Sequence, residues 1–477
     1  MIKLLDMNEE LLKLEEDPKI LDFRFKLNNL PMWLFIRVDF LWHIIKKRYS
    51  LDEPHASLDL KKINFKKKIS YLINSIKKFP FFIKKKYNVA IIGAAINNVW
   101  EGEYFTNRLY DLIYSIFPED TILLEYSNRL FFYEPRKIKS YSIDIVLILR
   151  KLSKYLLVSK EDQKNIILLL NYLKDICDKN KILYDVKTLE NFKHNLFSIS
   201  KFIRINNILY SILLKKLEPK VLIIEDAHYG KYTDLIYLAK KNGIIILELQ
   251  HGYIGKDHIA YNYHYSLHNY ITEYLPDYFL TFGRFWSNNV RIPSKTVEIG
   301  FPYLEEKTKS LNLKKEKNKK YILIISGGSL VEYYNQLVKN LYDLLDKNIY
   351  EIVFRPHPSE RVAINQRYNQ IIKIGIKIDN DNLYKSLINY DIVLSFEKST
   401  VLYEALAFNV KVILIRNPKN EFLEKKDDLF EEVDYNINEI INKIQNITYN
   451  NMNIEIEDIW KSNSLANYRK FIESILK

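Results

Sequence analysis

Residues 391–415 read DIVLSFEKSTVLYEALAFNVKVILI, and this stretch decides the fold. The run of apolar and β-branched residues at 391–396 is typical of a buried strand, and a second such run follows at 410–415. Between them, Ser399 and Thr400 are good N-cap residues for the start of a helix. Strand, helix and strand in this order predict one unit of a parallel α/β sheet.

The same alternation continues on both sides of this stretch. A second series begins with TVEIGFPYLEE, and its further strands are predicted at 321–329, 351–358 and 372–379. Strands of a first series are predicted at 89–95, 121–126, 144–149, 220–226, 243–250 and 277–283. Together they predict an α/β fold of two Rossmann-like doubly wound domains with a helical N-terminal extension.

The length of 477 residues also favours two domains, because a single hydrophobic core rarely grows this large. The first Rossmann-like domain is expected to contain a helical insertion at about 151–219. We divide the chain into a basic helical N-terminal extension, a first Rossmann-like domain, a second Rossmann-like domain and a closing C-terminal helix, at 1–86, 87–294, 295–450 and 451–477.

Charge and cysteine content exclude several classes of protein. The single cysteine, Cys177, excludes a disulfide framework and any zinc or iron–sulfur site with several cysteine ligands. The net charge of +13 suits an anionic partner, but 59 acidic residues accompany the 72 basic ones, and we expect no nucleic-acid partner. No uncharged apolar run approaches the ~20 residues that span a bilayer, and no signal peptide is apparent, so we expect a cytoplasmic protein.

One strongly basic segment lies in the N-terminal extension. Residues 61–86 carry ten lysines and no acidic residue, and isoleucine and phenylalanine are interleaved with the lysines. Such a composition suits the surface of an anionic membrane. The alternative is a solvated helix that packs on the body of the protein. Both interpretations stay open. The first would place the protein peripherally at the inner face of the cytoplasmic membrane.

The segment FRPHPSE places Arg355 and His357 directly after a predicted strand. The two flanking prolines remove backbone donors and hold the loop extended. Ligands of α/β proteins bind at the carboxyl ends of parallel strands, and Arg with His suits a phosphate there. A rigid turn with an incidental histidine is the alternative.

Two further features of the second half suit a nucleotide. A helix that starts at Ser399 and Thr400 would offer N–H groups and hydroxyls to an anion, and Glu404 on the same helix face could accept hydrogen bonds from a ribose. Gly327 and Gly328 would let a backbone approach a phosphate, although their spacing matches neither a P-loop nor GxGxxG. Plain helix capping and a tight turn are the alternatives.

Polar residues also follow two predicted strands of the first half. Gln250, His251 and Gly252 follow one strand, and Glu225 and Asp226 end another. If the strands are parallel, both groups face one edge of the sheet. His251, or less favourably Asp226, could then act as a general base. A structural histidine is the alternative.

We expect neither a metal site nor a cofactor. Asp379 and Asp381 have the DxD spacing of a metal motif, but an Asp/Asn turn at the end of a strand explains them better. The charge of a leaving phosphate would be neutralised by basic and hydroxyl groups instead.

With these motifs, residues 295–420 resemble the donor domains of bacterial surface-polysaccharide glycosyltransferases of the GT-B fold. The HP pair followed by a Ser-Thr pair is similar to sialyl- and Kdo-type transferases, which use CMP-sugars, and to CDP-glycerol phosphotransferases. The resemblance implies that His357, Ser399 and Thr400 contact the donor phosphate and that Glu404 contacts the ribose.

The first half departs from one of these patterns. Sialyltransferases have glycine directly after an acidic pair, whereas Ala227 follows the pair here. The QHG segment at 250–252 looks more like capsule and lipopolysaccharide transferases.

The implied function is transfer of a sugar from a nucleotide-activated donor, with a CMP-sugar favoured, to a growing surface polysaccharide or lipopolysaccharide acceptor. Residues 87–294 would hold the glycan or lipid-linked glycan acceptor, and residues 295–450 the nucleotide-sugar donor. The alternatives are a CDP-glycerol or polyol-phosphate transferase, a UDP-sugar glycosyltransferase or 2-epimerase, and a non-catalytic scaffold for glycan assembly.

Overall fold

Two parallel sheets organise the computed structural model, which describes residues 7–49, 64–128, 130–311, 318–416, 429–446 and 455–477. The strands are β1 Arg24–Phe25, β2 Leu30–Pro31, β3 Val89–Ala94, β4 Asn98–Trp100, β5 Phe105–Asn107, β6 Thr121–Tyr126, β7 Tyr141–Ser142, β8 Val221–Glu225, β9 Ile245–Leu249, β10 Tyr278–Thr281, β11 Lys295–Glu298, β12 Lys320–Ile325, β13 Tyr350–Arg355, β14 Lys377–Ile378, β15 Ile392–Ser395, β16 Lys411–Arg416 and β17 Glu431–Asp434.

Helices flank both sheets. Within the described residues they are α1 Met7–Leu12, α2 Met32–Tyr49, α3 Phe65–Lys78, α4 Asp111–Tyr114, α5 Asp144–Leu152, α6 Lys160–Lys179, α7 Val186–Leu217, α8 Thr233–Lys241, α9 His268–Ile271, α10 Arg284–Ser287, α11 Pro302–Ser310, α12 Val331–Leu344, α13 Ile364–Arg367, α14 Asn369–Lys373, α15 Leu383–Leu387, α16 Thr400–Ala407, α17 Ile437–Asn446, α18 Ile456–Ile459 and α19 Ser464–Leu476. None of these helices combines the length and hydropathy that a membrane crossing requires.

The predicted fold class is confirmed. The first sheet has the strand order β11-β10-β9-β8-β3-β6-β7, and the second has the order β14-β13-β12-β15-β16-β17. Every neighbouring pair in both sheets is parallel. The central strands are buried on both faces, which explains why their sequences are continuous apolar runs rather than alternating ones.

The sequence pattern assigned two segments wrongly. The run at 144–149 was expected to be a strand, but it forms helix α5, in which Asp144 is buried and accepts a hydrogen bond from the amide of Ser127 at 3.0 Å. The segment that opens with TVEIG was expected to begin the second series. It contains β11, which pairs with β10 and closes the first sheet instead.

The beginning of the described chain is part of the first domain's core rather than a peripheral extension. Trp33, Ile36 and Phe40 of α2 have no exposed surface, and they belong to the same hydrophobic cluster as the first sheet. Arg37 interrupts the apolar sequence of this helix but is buried, where it pairs with Glu15 at 2.5 Å and donates to the carbonyl of Ile259 at 2.6 Å. These partners offset the cost of burying its charge.

The last two helices return to the first domain. The indole of Trp286 in α10 donates to the carbonyl of Ile459 at 2.8 Å, and Asn467 of α19 donates to the carbonyl of Ile299 at 3.0 Å. One hydrophobic cluster runs through Trp286 and Trp460 to Tyr403 of the second domain. The two sheets therefore share a continuous apolar core.

Candidate functional site

The strand order reverses once in each sheet, and the candidate residues lie at these two points. In the first sheet the reversal falls between β3 and β8, and in the second it falls between β12 and β15. Crevices outside the carboxyl ends of strands at such switch points are the usual ligand sites of α/β sheets. Glu225 and Asp226 follow β8, whereas Ser399 and Thr400 follow β15.

Glu225 bridges the switch point of the first sheet. Its carboxylate accepts hydrogen bonds from the amide of Ala94 at 3.1 Å and from the side chain of Asn97 at 2.6 Å. Burial and the neighbouring Asp226 carboxylate raise its pKa to about 7. Glu225 therefore changes its charge near neutral pH while it joins the loops that follow β3 and β8.

Asp226 and His251 form an ion pair across adjacent strand ends. The Asp226 Oδ1 lies 3.0 Å from the His251 Nε2, and Lys231 contacts the other oxygen at 2.5 Å. Asp226 adopts the left-handed backbone conformation with φ of 57°, which is uncommon outside glycine and is often found at functional sites.

This ion pair shifts the pKa values of His251 and Asp226 in the directions that favour their charged forms. Burial opposes the charge of His251, but the Asp226 carboxylate outweighs it and raises the histidine pKa to about 9. Burial likewise opposes the charge of Asp226, but His251 and Lys231 hold its pKa well below the ordinary value. At neutral pH the pair is therefore an imidazolium with a carboxylate.

The residues on either side of His251 have different surroundings. Gln250 is buried, and its side chain accepts from the amide of Phe282 at 2.8 Å and donates to the carbonyl of Gly252 at 3.0 Å, so it fixes the loop. The Nδ1 of His251 lies 3.4 Å from the hydroxyl of Tyr261. A Cβ added to Gly252 would lie 3.6 Å from the Thr400 hydroxyl of the second domain.

In the second sheet, Glu397 occupies the place that the glycine pair was expected to offer to a phosphate. Its carboxylate accepts from the amides of Gly327 at 2.8 Å and Ser329 at 3.1 Å. Gly328, with φ of 99°, completes the turn, and its amide donates to Ser326 at 3.0 Å. The loop does bind an anion, but in this structure the anion belongs to the protein itself.

Arg355 lies inside the second domain. Its guanidinium pairs with Asp379 at 2.5 Å and donates to the carbonyl of Asp381 at 3.1 Å, and the residue is 8% exposed. The DxD-like segment is thus the partner of Arg355, and the two together connect the loops that follow β13 and β14.

His357 lies in a loop that its own neighbours hold. The Nδ1 is 2.7 Å from the Ser359 hydroxyl, and the His357 amide donates to Glu360 at 3.1 Å. Glu360 is fully buried, and it also accepts from Ser326 at 2.8 Å and from Tyr368 at 2.6 Å. Glu360 therefore joins the His357 loop to Ser326, which begins the glycine loop at 326–329.

Helix α16 begins at Thr400 with Ser399 as its N-cap, and no side chain of the described residues forms a capping hydrogen bond there. Both hydroxyl residues are half-buried. The N–H groups of such a helix start favour an anion.

Glu404, one turn further along α16, is fully buried, and neither of its carboxylate oxygens accepts a hydrogen bond within the described part of the chain. Arg108 of the first domain is the nearest cation, with Nη1 at 3.7 Å from Oε1. Burial raises the pKa of Glu404 against the opposing charge of Arg108. The buried hydroxyl of Tyr384 lies beside Glu404 and has no further partner among the described residues; like Arg108, it opposes the rise in the pKa of Glu404.

The two domains meet at this helix. The Tyr253 ring stacks on Tyr403 at 5.9 Å, and Trp286 packs on the same ring at 4.6 Å. The start of α16 therefore lies against the loop that carries His251. The structure brings the QHG loop, the Ser-Thr pair and Glu404 to one interface. Arg355 is paired with the acidic turn, and its charge also lowers the pKa of Glu404.

The sequence did not reveal the role of the buried residue His228. His228 pairs with Glu248 inside the first domain, and its Nε2 lies 3.1 Å from the Ser294 hydroxyl. Because His228 is completely buried and both ring nitrogens have partners, it is a structural histidine. Among the described residues, no group of three or more acidic, histidine or cysteine side chains is arranged to hold a metal ion.

Among known proteins, the chain is similar only to solved structures. No family model matches the chain, and no curated protein matches it. The UDP-GlcNAc 2-epimerase from Methanocaldococcus jannaschii aligns over 82% of this chain and 99% of its own, at 12% identity and a TM-score of 0.45. MurG from Acinetobacter baumannii aligns over 82% and 100%, at 11% identity and a TM-score of 0.44.

The lipopolysaccharide outer core galactosyltransferase WaaB aligns over 81% of this chain and 99% of its own, at 12% identity and a TM-score of 0.38. Identities and TM-scores this low carry no function to this chain. The structure itself establishes two Rossmann-like α/β domains whose loops at the carboxyl ends of the strands meet at helix α16.

Proposed function

We propose that this chain is a glycosyltransferase that takes a sugar from a nucleotide-activated donor at the interface beside α16. Glu404 carries the proposal. Its fully buried carboxylate has only Arg108 at 3.7 Å and the Tyr384 hydroxyl beside it to offset the cost of burial, so a ligand that donates hydrogen bonds to it would be favoured. The two hydroxyls of a ribose are such donors, and the start of α16 one turn away suits the phosphate of the same nucleotide.

Several residues would share the donor phosphate. The hydroxyls of Ser399 and Thr400 and the α16 amides would bind it, and His357 would approach from the loop after β13. Arg355 would support that loop from inside, since its donors are engaged by Asp379 and the carbonyl of Asp381. The glycine loop would take part only if Glu397 moved. Because the acidic turn is paired with Arg355, we propose transfer without a metal ion.

Asp226 and His251 would serve the acceptor. The neutral imidazole would take the proton of the acceptor hydroxyl through Nδ1, once that hydroxyl replaced the 3.4 Å contact with Tyr261, while Asp226 orients the ring through Nε2 and stabilises the imidazolium that forms. Glu225 would hold the adjacent loop. We propose a glycan or lipid-linked glycan of a surface polysaccharide or lipopolysaccharide as the acceptor and a CMP-sugar as the first donor to test, on the strength of the HP and Ser-Thr motifs.

A thermal-shift screen with CMP, CDP, UDP and GDP tests the donor class. One nucleotide should raise the melting temperature of the wild-type protein and raise that of Glu404→Gln by less at the same concentration. Sugar transfer to an acceptor would then be assayed with the matching nucleotide sugar. Stabilisation by none of the four nucleotides would refute the proposal, and conversion of a UDP-sugar without any acceptor would identify an epimerase instead.

A further inference from the structure

Helix α3 turns its apolar side chains outwards. Phe65, Ile69, Leu72, Ile73 and Ile76 are 74%, 42%, 40%, 45% and 47% exposed. Their spacing of three and four residues places all five on one face of the helix. We call these five residues the apolar stripe.

A helix that only covers a protein core would turn its apolar face towards that core. Instead, α3 packs on the first domain through Tyr71 and Ser75, which are its buried residues. The Tyr71 ring stacks on Phe132 at 5.9 Å, and the Ser75 hydroxyl donates to the carbonyl of Tyr71 at 2.7 Å. The helix is thus fixed by a partly polar face, and the apolar stripe is left to solvent.

Lysines border the apolar stripe on both sides. At 100° per residue, Lys68 lies on one side, while Lys66 and Lys77 lie on the other. All three are exposed, and none of them forms an ion pair with a residue that the structure describes. In contrast, the nearby Lys78 and Lys85 are paired with glutamates. The stripe therefore combines apolar surface with cationic borders.

We propose that α3 docks this protein on an anionic lipid bilayer. The helix would lie in the plane of the interface, with the apolar stripe at the boundary between headgroups and acyl chains and the lysines at the lipid phosphates. Charge selects this occupant over a second copy of the chain, because two such stripes face to face would bring their lysines together. The inference is independent of the proposed transfer reaction.

Vesicle flotation with the full chain tests this docking. The wild-type protein should float with phosphatidylglycerol vesicles, should not float with pure phosphatidylcholine vesicles, and should be released as the salt concentration rises. Ile69→Glu with Ile73→Glu should lower the partition coefficient by more than about tenfold. Lys66→Gln, Lys68→Gln and Lys77→Gln together should remove the preference for anionic lipid.

The matched control is Ile208→Glu with Ile212→Glu, two exposed isoleucines one turn apart on α7, at 59% and 48% exposure. This variant should float like the wild type. Equal flotation with both lipids, no flotation, or an equal loss in the control would overturn the proposal. A concentration-dependent dimer in sedimentation that Ile69→Glu with Ile73→Glu abolishes would overturn it as well, because a second copy would then cover the stripe.

Discussion

Burial of the Glu404 carboxylate costs free energy of folding in the unliganded protein, whereas the same carboxylate should strengthen nucleotide binding. Glutamine has the same shape and no charge, so Glu404→Gln removes the cost of a buried charge but also the partner of Arg108, and the melting temperature of the unliganded protein should change little. The same change should weaken nucleotide binding about tenfold or more, since hydrogen bonds to a charged group contribute roughly 1.5–3 kcal/mol. Calorimetric titration and thermal melts measure the two effects separately.

Glu360 offers the matched control for this prediction. It is equally buried but accepts hydrogen bonds from Ser326 and Tyr368, so Glu360→Gln should lower the melting temperature. A loss of stability in Glu404→Gln of the same size would mean that its carboxylate is satisfied within the protein.

His251 should give the transfer rate a characteristic dependence on pH. Its pKa of about 9 means that the neutral base becomes more populated as pH rises, so turnover should increase up to about pH 9 and level off above it. His251→Ala should lower turnover by about 10²–10⁴-fold with nucleotide affinity unchanged. A rate that falls above pH 9 would instead assign His251 a role as a cation, and lost nucleotide binding would move it to the donor site.

The same ion pair affects folding. The folded pKa of His251 lies above its ordinary value of 6.5, so the pair contributes stability that is fully present below pH 6.5 and is lost as pH rises through about 9. Melting temperatures of the wild type and His251→Ala should therefore converge above that pH.

At the residue scale, the sequence predicts which residues lie close together better than it predicts which of them form hydrogen bonds or ion pairs. It predicts that the strand ends at 225–226 and 250–252 face one edge, and Asp226 and His251 are indeed 3.0 Å apart. It offers no signal that Glu397 fills the glycine loop, or that Arg355 pairs with Asp379, because those partners lie far along the chain and only the folded sheet brings them together.

The loop after β12 gives a prediction at the scale of an element. A Cβ added to Gly327 would lie 2.5 Å from the Glu397 carboxyl carbon, so Gly327→Ala should destabilise the protein by about 1–3 kcal/mol. Glu397→Ala should also destabilise it, since two loop amides lose their acceptor. In the double variant the two closest contacts, with the Glu397 carboxyl group, are absent and only the contact with the Cβ of residue 397 at 2.9 Å remains, so the combined loss should be smaller than the sum.

Urea denaturation of the four proteins measures this coupling. Additive losses would mean that the alanine is accommodated without contact with Glu397. Gly243→Ala is a suitable comparison, because its φ of 72° strains a side chain while no atom lies within 4 Å of the added carbon.

Elements were mispredicted where local pattern and long-range context disagree. The run at 144–149 has strand-like composition, but short apolar runs do not distinguish strand from helix. Its buried Asp144 binds the Ser127 amide in a tertiary contact that the sequence does not reveal. The edge strand β17 went unnoticed because EEVD is polar, which is compatible with the edge of a sheet. Strand β14 covers only Lys377–Ile378 of the eight residues predicted.

At the scale of the whole molecule, Trp460 connects the two domains. Its indole donates to the carbonyl of Tyr403 at 3.1 Å, and its ring packs on Phe282 at 5.2 Å. We expect the wild type to unfold in a single calorimetric transition. Trp460→Ala should cost about 3–5 kcal/mol and separate the melting of the two domains.

Trp33→Ala is the control for this experiment, because Trp33 is equally large but is buried within the first domain, where it binds Glu15 at 2.8 Å. It should lower the melting temperature and keep one transition. Two transitions already present in the wild type would show that the shared core does not make the domains cooperative.

The return of α18 and α19 to the first domain has a consequence for synthesis on the ribosome. Residues 456–476 emerge only after the entire second sheet, yet they cover Trp286 and the Phe282 ring of the first. During translation the first domain therefore waits with an apolar face uncovered while about 150 further residues are added, at roughly 5–20 residues per second. For that interval, of order ten seconds, this exposed apolar face makes the nascent chain prone to aggregation.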